Sequence, residues 1–193
     1  LDGLRLYMWQ RFNYKPDDVA STHQTLTRAT KVEETTGGGI LLISEGVFGM
    51  RGEQGKLKEI VALKKKYNFR LFVDDAHGFG TLGKTGAGAG QEQGVQDDID
   101  VYFATFAKSM ASTGAFIAAD KEIMDYLKYN LRSQMFAKSL QMQLVVGALK
   151  RLDMMRESTE YKDKLWVNVR ALQGGLKERG WASVFGEKKV EKL

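Results

Sequence analysis

The sequence predicts an α/β protein built on a mostly parallel sheet with helices on both faces. Short apolar segments of strand length alternate with longer segments whose apolar residues recur at helical spacing. Glycine-rich stretches separate several of these segments, as expected for the connections between strands and helices. A chain of 193 residues is long enough for one good-sized core and the beginning of a further domain.

The first quarter of the chain predicts one helix and one core strand. Residues 2–13 indicate a helix or turn that leads into a short strand, and Pro16, the only proline, marks a turn over 15–18. A helix is predicted over 19–30. The apolar run 40–44 follows three consecutive glycines and predicts a core strand.

The rest of the chain repeats this alternation. Leu57, Ile60 and Val61 recur at helical spacing and predict a helix, after which come a strand and a glycine-rich loop. Two more strands and three helices follow, and Gly180 is a C-cap signal for the last helix. The predicted ranges, in chain order, are helix 57–67, strand 69–73, loop 78–94, strands 101–105 and 115–119, and helices 121–130, 134–156 and 161–179.

Composition excludes several classes of function. The absence of cysteine excludes disulfides and thiolate metal sites, and with two histidines in the chain no zinc site is expected. The net charge is +5, but the triple lysine 64–66 ends an amphipathic helix, where cations suit the helix dipole, so nucleic-acid binding is not expected. No transmembrane segment is predicted, because Lys108 and several hydroxyl residues interrupt the longest apolar stretch.

Two strand ends carry the residues that bear chemistry. The apolar strand 71–73 runs directly into Asp74 and, three residues later, His77, while the strand 101–105 ends in Thr105 and is followed by Lys108. Ligands of open α/β sheets bind beyond the carboxyl ends of the strands. A carboxylate, an imidazole, a hydroxyl and an amine in that position match the needs of pyridoxal 5'-phosphate (PLP), which requires a lysine and an acidic partner for its pyridine nitrogen.

Lys108 and Asp75 each admit more than one interpretation. Lys108 is the only charge between Val101 and Ala119, and burial there would favour the neutral, nucleophilic amine. The alternative is a lysine at a strand end that extends its ammonium group to solvent. Asp75 is interpreted as a solvent-facing or cap carboxylate and receives no role.

The glycine-rich loop contains two further motifs. The stretch 78–83 matches the dinucleotide-binding G-x-G-x-x-G pattern, and 78–85 matches the phosphate loop of nucleoside triphosphatases. Both motifs need a helix that begins directly after them, whereas residues 86–90 contain three glycines and are a poor helix start. A nucleotide-binding protein, signalled by a helix that begins at Thr85, therefore stays the alternative from another class.

These stretches resemble the α-oxoamine synthases, PLP enzymes of fold type I within the aminotransferase class I/II superfamily. The resemblance is carried by Ser44-Glu45-Gly46-Val47-Phe48, by Asp74-Asp75-Ala76-His77-Gly78, and by Thr105-Phe106-Ala107-Lys108-Ser109 through Gly114. It extends from about Leu1 to about Gly180 and is greatest to serine palmitoyltransferases. It implies that residues 1–158 form part of the PLP-binding large domain and that 159–193 begin a truncated C-terminal domain.

The resemblance also implies roles for four residues. Asp74 corresponds to the carboxylate that pairs with the pyridine nitrogen, and His77 to the donor to the ring oxygen of the cofactor. Thr105 corresponds to the hydroxyl that binds the phosphate. Lys108 corresponds to the lysine that bonds covalently to the cofactor and later moves protons at the substrate α-carbon. Family members often have serine where this chain has Gly49, and a proline near position 56 is also absent.

The activity implied by the resemblance is the condensation of an amino acid with an acyl-CoA, with release of CO2 and CoA. L-serine is the first expected substrate, and 2-amino-3-ketobutyrate CoA ligase and 8-amino-7-oxononanoate synthase activities are the alternatives. A cytoplasmic homodimer is expected. The ring-stacking histidine and the arginine that binds the substrate carboxylate in relatives would fall outside this chain, so a fragment that folds without a complete site is a third interpretation.

Overall fold

The structure of the protein, a computed structural model, describes residues 10–16 and 18–181. It confirms the predicted fold class, since a mostly parallel sheet is combined with helices along the chain. The element predicted over 2–13 lies mostly outside the described residues, and residues 10–13 form neither helix nor strand. Asp17, part of the predicted turn at Pro16, also lies outside them.

Helices and strands are interspersed as far as Ala119, and four helices follow in the rest of the described chain. Short 3-10 helices at Leu63–Lys65 and Gln96–Asp98 accompany them. The elements are α1 (Val19–Thr36), β1 (Leu41–Glu45), β2 (Val47–Phe48), β3 (Glu53–Gln54), α2 (Leu57–Ala62), β4 (Arg70–Asp74), α3 (Ala89–Glu92), β5 (Val101–Thr105), β6 (Ala115–Ala119), α4 (Lys121–Asn130), α5 (Arg132–Phe136), α6 (Met142–Glu157) and α7 (Glu160–Glu178). Among these helices, none is long and apolar enough to span a membrane.

The main sheet has four strands in the order β1-β4-β5-β6. Strand β4 pairs in parallel with β1 on one side and with β5 on the other, whereas β6 returns antiparallel to β5. Strands β2 and β3 form a separate antiparallel pair. The carboxyl ends of β1, β4 and β5 therefore meet at one edge of the sheet.

Strand β4 carries the centre of the core. Leu71 and Val73 are fully buried, and they pack in one cluster with Leu57 and Ile60 of α2 and with Leu26 of α1. Burying an aliphatic side chain of this size contributes about 1.5–3 kcal/mol. Buried residues therefore alternate in β4 with half-buried or exposed ones, and the buried face sets the register of the strand.

A second buried cluster lies beside the carboxyl end of β5. Tyr102 and Ala104 of β5 pack there with Phe79 from the glycine-rich loop and with Met110. Ala148 of α6 completes this cluster, so α6 covers the end of the strand that precedes Lys108. Further along, Trp166 of α7 donates its indole N–H to the Thr81 carbonyl at 2.7 Å, which ties the last helix to the same loop.

Several predicted boundaries are wrong. The helix predicted over 57–67 is α2 (Leu57–Ala62) followed by a 3-10 helix (Leu63–Lys65), and the loop predicted over 78–94 contains α3. Helix α1 ends at Thr36 rather than near residue 30, because Gly37 adopts the left-handed conformation (φ 69°) and its amide caps the helix on the Glu33 carbonyl. The helix predicted over 134–156 is two helices, α5 and α6. The break falls at 137–141, where Lys138 has a φ of 67°. This segment contains no glycine or proline from which the break could be predicted.

The predicted domain boundary at residue 158 coincides with the break between α6 and α7. Ser158 adopts an extended conformation and ends α6, and its amide bonds to the Met154 carbonyl. A division into a large domain over 1–158 and a second domain over 159–193 stays a prediction.

Candidate functional site

The predicted site residues on β4 and β5 lie at the same edge of the sheet. Asp74 is the last residue of β4, where it pairs with Glu45 at the end of β1 and with Phe103 of β5. Thr105 ends β5, two residues beyond Phe103. Parallel pairing thus brings Asp74 and Thr105 to neighbouring strand ends, as the sequence predicted.

A tight turn after β4 presents Asp74 and His77 together. The Asp75 carbonyl accepts hydrogen bonds from the amides of Gly78 (3.1 Å) and Phe79 (2.9 Å), which closes the turn around His77. One carboxylate oxygen of Asp74 accepts from the Ala76 amide at 3.1 Å. The His77 side chain is exposed, and Asp74 is half-buried.

The His77 imidazole lies directly against Gly49. A Cβ atom at position 49 would stand 2.3 Å from Nε2 of His77 and 2.6 Å from its Cε1, far inside any ordinary contact. The imidazole therefore occupies space that a side chain at position 49 would need. Gly49, which departs from the family pattern, is thus coupled to the position of His77.

Thr105 holds the loop that carries Lys108. The Thr105 hydroxyl donates to the Gly114 carbonyl at 3.1 Å and accepts from the Ala107 amide at 3.1 Å. The Phe106 amide also donates to Gly114, at 2.9 Å. The residues between β5 and β6 are therefore closed into a compact loop at its base.

The structure places Lys108 in this loop, three residues beyond the end of β5. The apolar stretch 101–119 is a strand, a loop and an antiparallel strand, so Lys108 is exposed rather than enclosed by apolar neighbours. No residue in the described part of the chain forms a hydrogen bond or ion pair with its ammonium group. Of the two interpretations, the one in which the amine extends to solvent agrees with this exposure.

Asp75 is the residue of the site region whose environment sequence reasoning missed. It is 0% exposed, so its interpretation as a solvent-facing carboxylate is wrong. Its Oδ2 accepts from the Ala89 amide (2.8 Å), at the start of α3, and from the Tyr102 hydroxyl (2.9 Å). Burial raises the pKa of Asp75 to about 6, against lowering by these hydrogen bonds. The glycines at 46, 78 and 88 that surround it were visible in the sequence, but only their packing reveals the connection.

The nucleotide-loop motif lacks the helix that it requires. Residues 83–86 form turns and bends, and the next helix is the four-residue α3, which begins at Ala89. No helix begins at Thr85, so the phosphate-binding arrangement of a nucleoside triphosphatase is not formed by these residues.

The chain belongs to the aminotransferase class I and II family, whose family model matches residues 2–188. Over 181 residues it is 68% identical to a cysteate-C-fatty acyltransferase of Capnocytophaga ochracea, covering 94% of this chain and 43% of the relative. It is 35% identical to a serine palmitoyltransferase of Sphingobacterium spiritivorum (94% and 44%) and 36% identical to an 8-amino-7-oxononanoate synthase of Treponema denticola (94% and 45%). The chain therefore spans less than half the length of these relatives.

Solved structures confirm the fold and support the cofactor. The Sphingomonas wittichii serine palmitoyltransferase superposes with a TM-score of 0.83 at 30% identity over 92% of this chain and 43% of that one. A serine palmitoyltransferase solved with PLP gives a TM-score of 0.84 at 31% identity over 93% of this chain and 44% of that one. These relatives agree with the expected enzyme class and one neighbour holds PLP, while the activity and cofactor of this chain and the roles of its residues stay predictions.

The raised pKa of Asp75 generates a prediction about stability. Because the folded-state pKa (about 6) exceeds the ordinary value of 3.8, the native state binds this proton more tightly, and the stabilisation is lost as pH rises through 6. Between pH 5 and pH 7 the free energy of unfolding of wild type should fall, relative to Asp75→Asn, by about 1 kcal/mol. Urea unfolding at both pH values measures this difference. Asp97→Asn, at an exposed aspartate, is the control, and a slope in Asp75→Asn equal to that of wild type would contradict the assignment.

The contact between Gly49 and His77 generates a structural prediction. In Gly49→Ala the imidazole must move by about 1 Å or more, because an ordinary contact with the new Cβ requires at least 3.4 Å. Since the imidazole is exposed and free to swing, stability should change by less than about 0.5 kcal/mol. Crystal structures of the variant and wild type measure the displacement. Gly39→Ala, where a Cβ meets nothing within 4 Å, should leave His77 in place; an unmoved imidazole in Gly49→Ala would refute the coupling.

Proposed function

We propose that the protein containing this chain is a PLP-dependent acyltransferase that condenses an amino acid with a fatty acyl-CoA and releases CO2 and CoA. The observation that carries the proposal is the shared edge of the sheet, where the turn of Asp74 and His77 and the loop of Thr105 and Lys108 follow adjacent parallel strands. The family membership and the acyltransferase relatives support the same reaction class.

Asp74 is the proposed partner of the pyridine nitrogen of the cofactor. One of its carboxylate oxygens is held by the Ala76 amide, which orients the group and leaves the other oxygen for a charge-assisted hydrogen bond. His77 is the proposed donor to the ring oxygen, from the adjacent turn. When bound, PLP supplies an electron sink for negative charge at the substrate α-carbon.

Lys108 is the proposed covalent anchor and proton carrier. Its amine lies in an exposed loop and has no partner among the described residues, so it is free to reach a cofactor above the strand ends and then to move a proton at the α-carbon. Thr105 is the proposed phosphate ligand. Because a hydroxyl has one proton, and that proton is donated to the Gly114 carbonyl here, binding a phosphate requires Thr105 to release Gly114.

L-cysteate is the proposed amino-acid substrate, and L-serine, the substrate expected from sequence, is the second candidate. The support is the relative named for cysteate, which is 68% identical over 181 residues, whereas the serine palmitoyltransferase of S. spiritivorum is 35% identical over the same length. The two amino acids differ in their side chains, a permanently ionised sulfonate against a neutral hydroxyl. Homodimer formation and a cytoplasmic location stay predictions. A part in sphingolipid biosynthesis, which the resemblance to serine palmitoyltransferases also implies, is a prediction as well.

The covalent role of Lys108 is tested by trapping PLP on the full-length protein. Incubation with PLP, borohydride reduction and peptide mass spectrometry should give a single pyridoxyl adduct on Lys108. Lys108→Ala should lose the adduct, whereas the control Lys138→Ala, at another exposed loop lysine, should keep it. Asp74→Asn should retain some PLP binding but lose turnover, because the pyridine nitrogen loses its anionic partner. Scattered labelling, or wild-type turnover in Asp74→Asn, would overturn the assignment.

The choice of substrate is tested by CoA release from palmitoyl-CoA with L-cysteate, L-serine or L-alanine. We expect kcat/KM for L-cysteate to exceed that for L-serine by at least about tenfold, because a site that pairs with a sulfonate is left with an unpaired cation when the smaller neutral side chain binds. A preference for L-serine would assign serine palmitoyltransferase activity instead. A preference for L-alanine would favour oxononanoate synthase chemistry.

A further inference from the structure

One buried carboxylate connects the chain segments that surround the candidate site. Oδ2 of Asp75 accepts from the Ala89 amide at 2.8 Å and from the Tyr102 hydroxyl at 2.9 Å. Ala89 begins the short helix α3 after the glycine-rich loop, and Tyr102 belongs to β5. The carboxylate of a residue that follows β4 is therefore bonded both to the neighbouring strand and to the far end of the loop.

Three glycines form a cage around this carboxylate. A Cβ at Gly46 would lie 1.9 Å from Oδ1 of Asp75, and one at Gly78 would lie 2.1 Å from the same atom. A Cβ at Gly88 would lie 1.9 Å from Oδ2, and Gly88 also has a φ of 108°. Gly46 follows β1 and Gly78 follows His77, so the carboxylate packs against the backbone of the segments that lead to Gly49 and away from His77.

The burial of Asp75 lowers the stability of the fold, so stability does not explain why this carboxylate is there. Asp75 is fully buried, forms no ion pair with a described cation, and its Oδ1 accepts no hydrogen bond of good geometry from the described residues. A buried carboxylate without a cation, and with one oxygen unsatisfied, lowers the stability of the fold. Features that break the rules of stable packing in this way concentrate at functional sites.

The backbone of Asp75 links this group to the candidate site residues on either side. Its amide donates to the Phe103 carbonyl of β5 at 2.8 Å, and its carbonyl closes the turn that presents His77. The Gly46 amide in turn donates to the Asp74 carbonyl at 2.8 Å. Hydrogen bonds hold both the side chain and the main chain of Asp75. The backbone from which the side chains of Asp74 and His77 project is therefore fixed in position.

We propose that Asp75 is a positioning residue, whose carboxylate fixes Asp74 at the end of β4 and the following turn with His77 against the ends of β1 and β5. The functional part of this inference rests on the proposed PLP site, and its structural part does not. Asparagine at position 75 would preserve size and shape but weaken the hydrogen bonds from Ala89 and Tyr102, because bonds to a charged acceptor are about twice as strong as neutral ones.

The test compares Asp75→Asn with wild type in the full-length protein, at a temperature where both are folded. Hydrogen exchange of amides 76–80 and 89 should be at least about tenfold faster in the variant. With PLP bound, the visible circular dichroism of the cofactor should change. The kcat for acyl transfer should fall by up to about 100-fold, with little change in KM, because misplaced groups act on the reacting atoms rather than on binding.

Two further variants make the test specific. Tyr102→Phe removes one hydrogen-bond donor to Asp75 and leaves the charge of the carboxylate, so hydrogen exchange, circular dichroism and kcat should change in the same direction but less. If Asp75→Asn fails to fold, Tyr102→Phe provides the test in its place. Asp97→Asn removes an exposed carboxylate and should change none of these quantities.

Two results would overturn the proposal. Unchanged hydrogen exchange would show that the carboxylate does not hold the turn. Faster exchange with unchanged circular dichroism and kcat would show that it serves the loop only. If wild type binds no PLP, the proposed function fails, and the exchange of amides 76–80 alone still decides whether Asp75 fixes the turn.

Discussion

The structure depends on the parallel pairing of β4 between β1 and β5. This pairing buries Leu71 and Val73 completely and aligns three strand ends at one edge. Because residues beyond these ends have left the sheet, their side chains are available to a ligand, while the buried strands hold their main chains in place. Strand β4 thus contributes both to the core and, at its carboxyl end, to the candidate site. A change in the register of β4 would disrupt both.

The carboxylates near the two ends of β4 have pKa values shifted in opposite directions. At its start, Asp100 accepts from Lys64 (2.5 Å), from the Leu71 amide (2.7 Å) and from Arg70 (2.9 Å). Burial raises the pKa of Asp100, but these hydrogen bonds outweigh burial and lower it overall. At the other end Asp75 forms no ion pair with any residue that the structure describes, and burial raises its pKa. The satisfied carboxylate braces the fold, whereas the unsatisfied one lies between the two residues proposed to hold the cofactor.

Local sequence predicted most elements because their signals are local. The ranges of β5, β6 and α4 agree with prediction. The ends of an apolar run bounded by polar residues, or of an amphipathic segment, are visible in the local sequence. The break between α5 and α6 was missed because no glycine or proline marks it. In the segment between the two helices Leu140 packs against Gly114, where a Cβ would lie 2.9 Å from its side chain, and this contact joins residues distant in the sequence.

Sequence alone determined the α/β class, the strands that end in Asp74 and Thr105, the loop with Lys108, and the family resemblance, because each is written in a short contiguous pattern. Tertiary structure decided the environments of the same residues. The full burial of Asp75, the approach of His77 to Gly49 and the exposure of Lys108 depend on which distant segments meet. Burial and close contacts arise when segments distant in the sequence pack together, so no local sequence pattern could predict them.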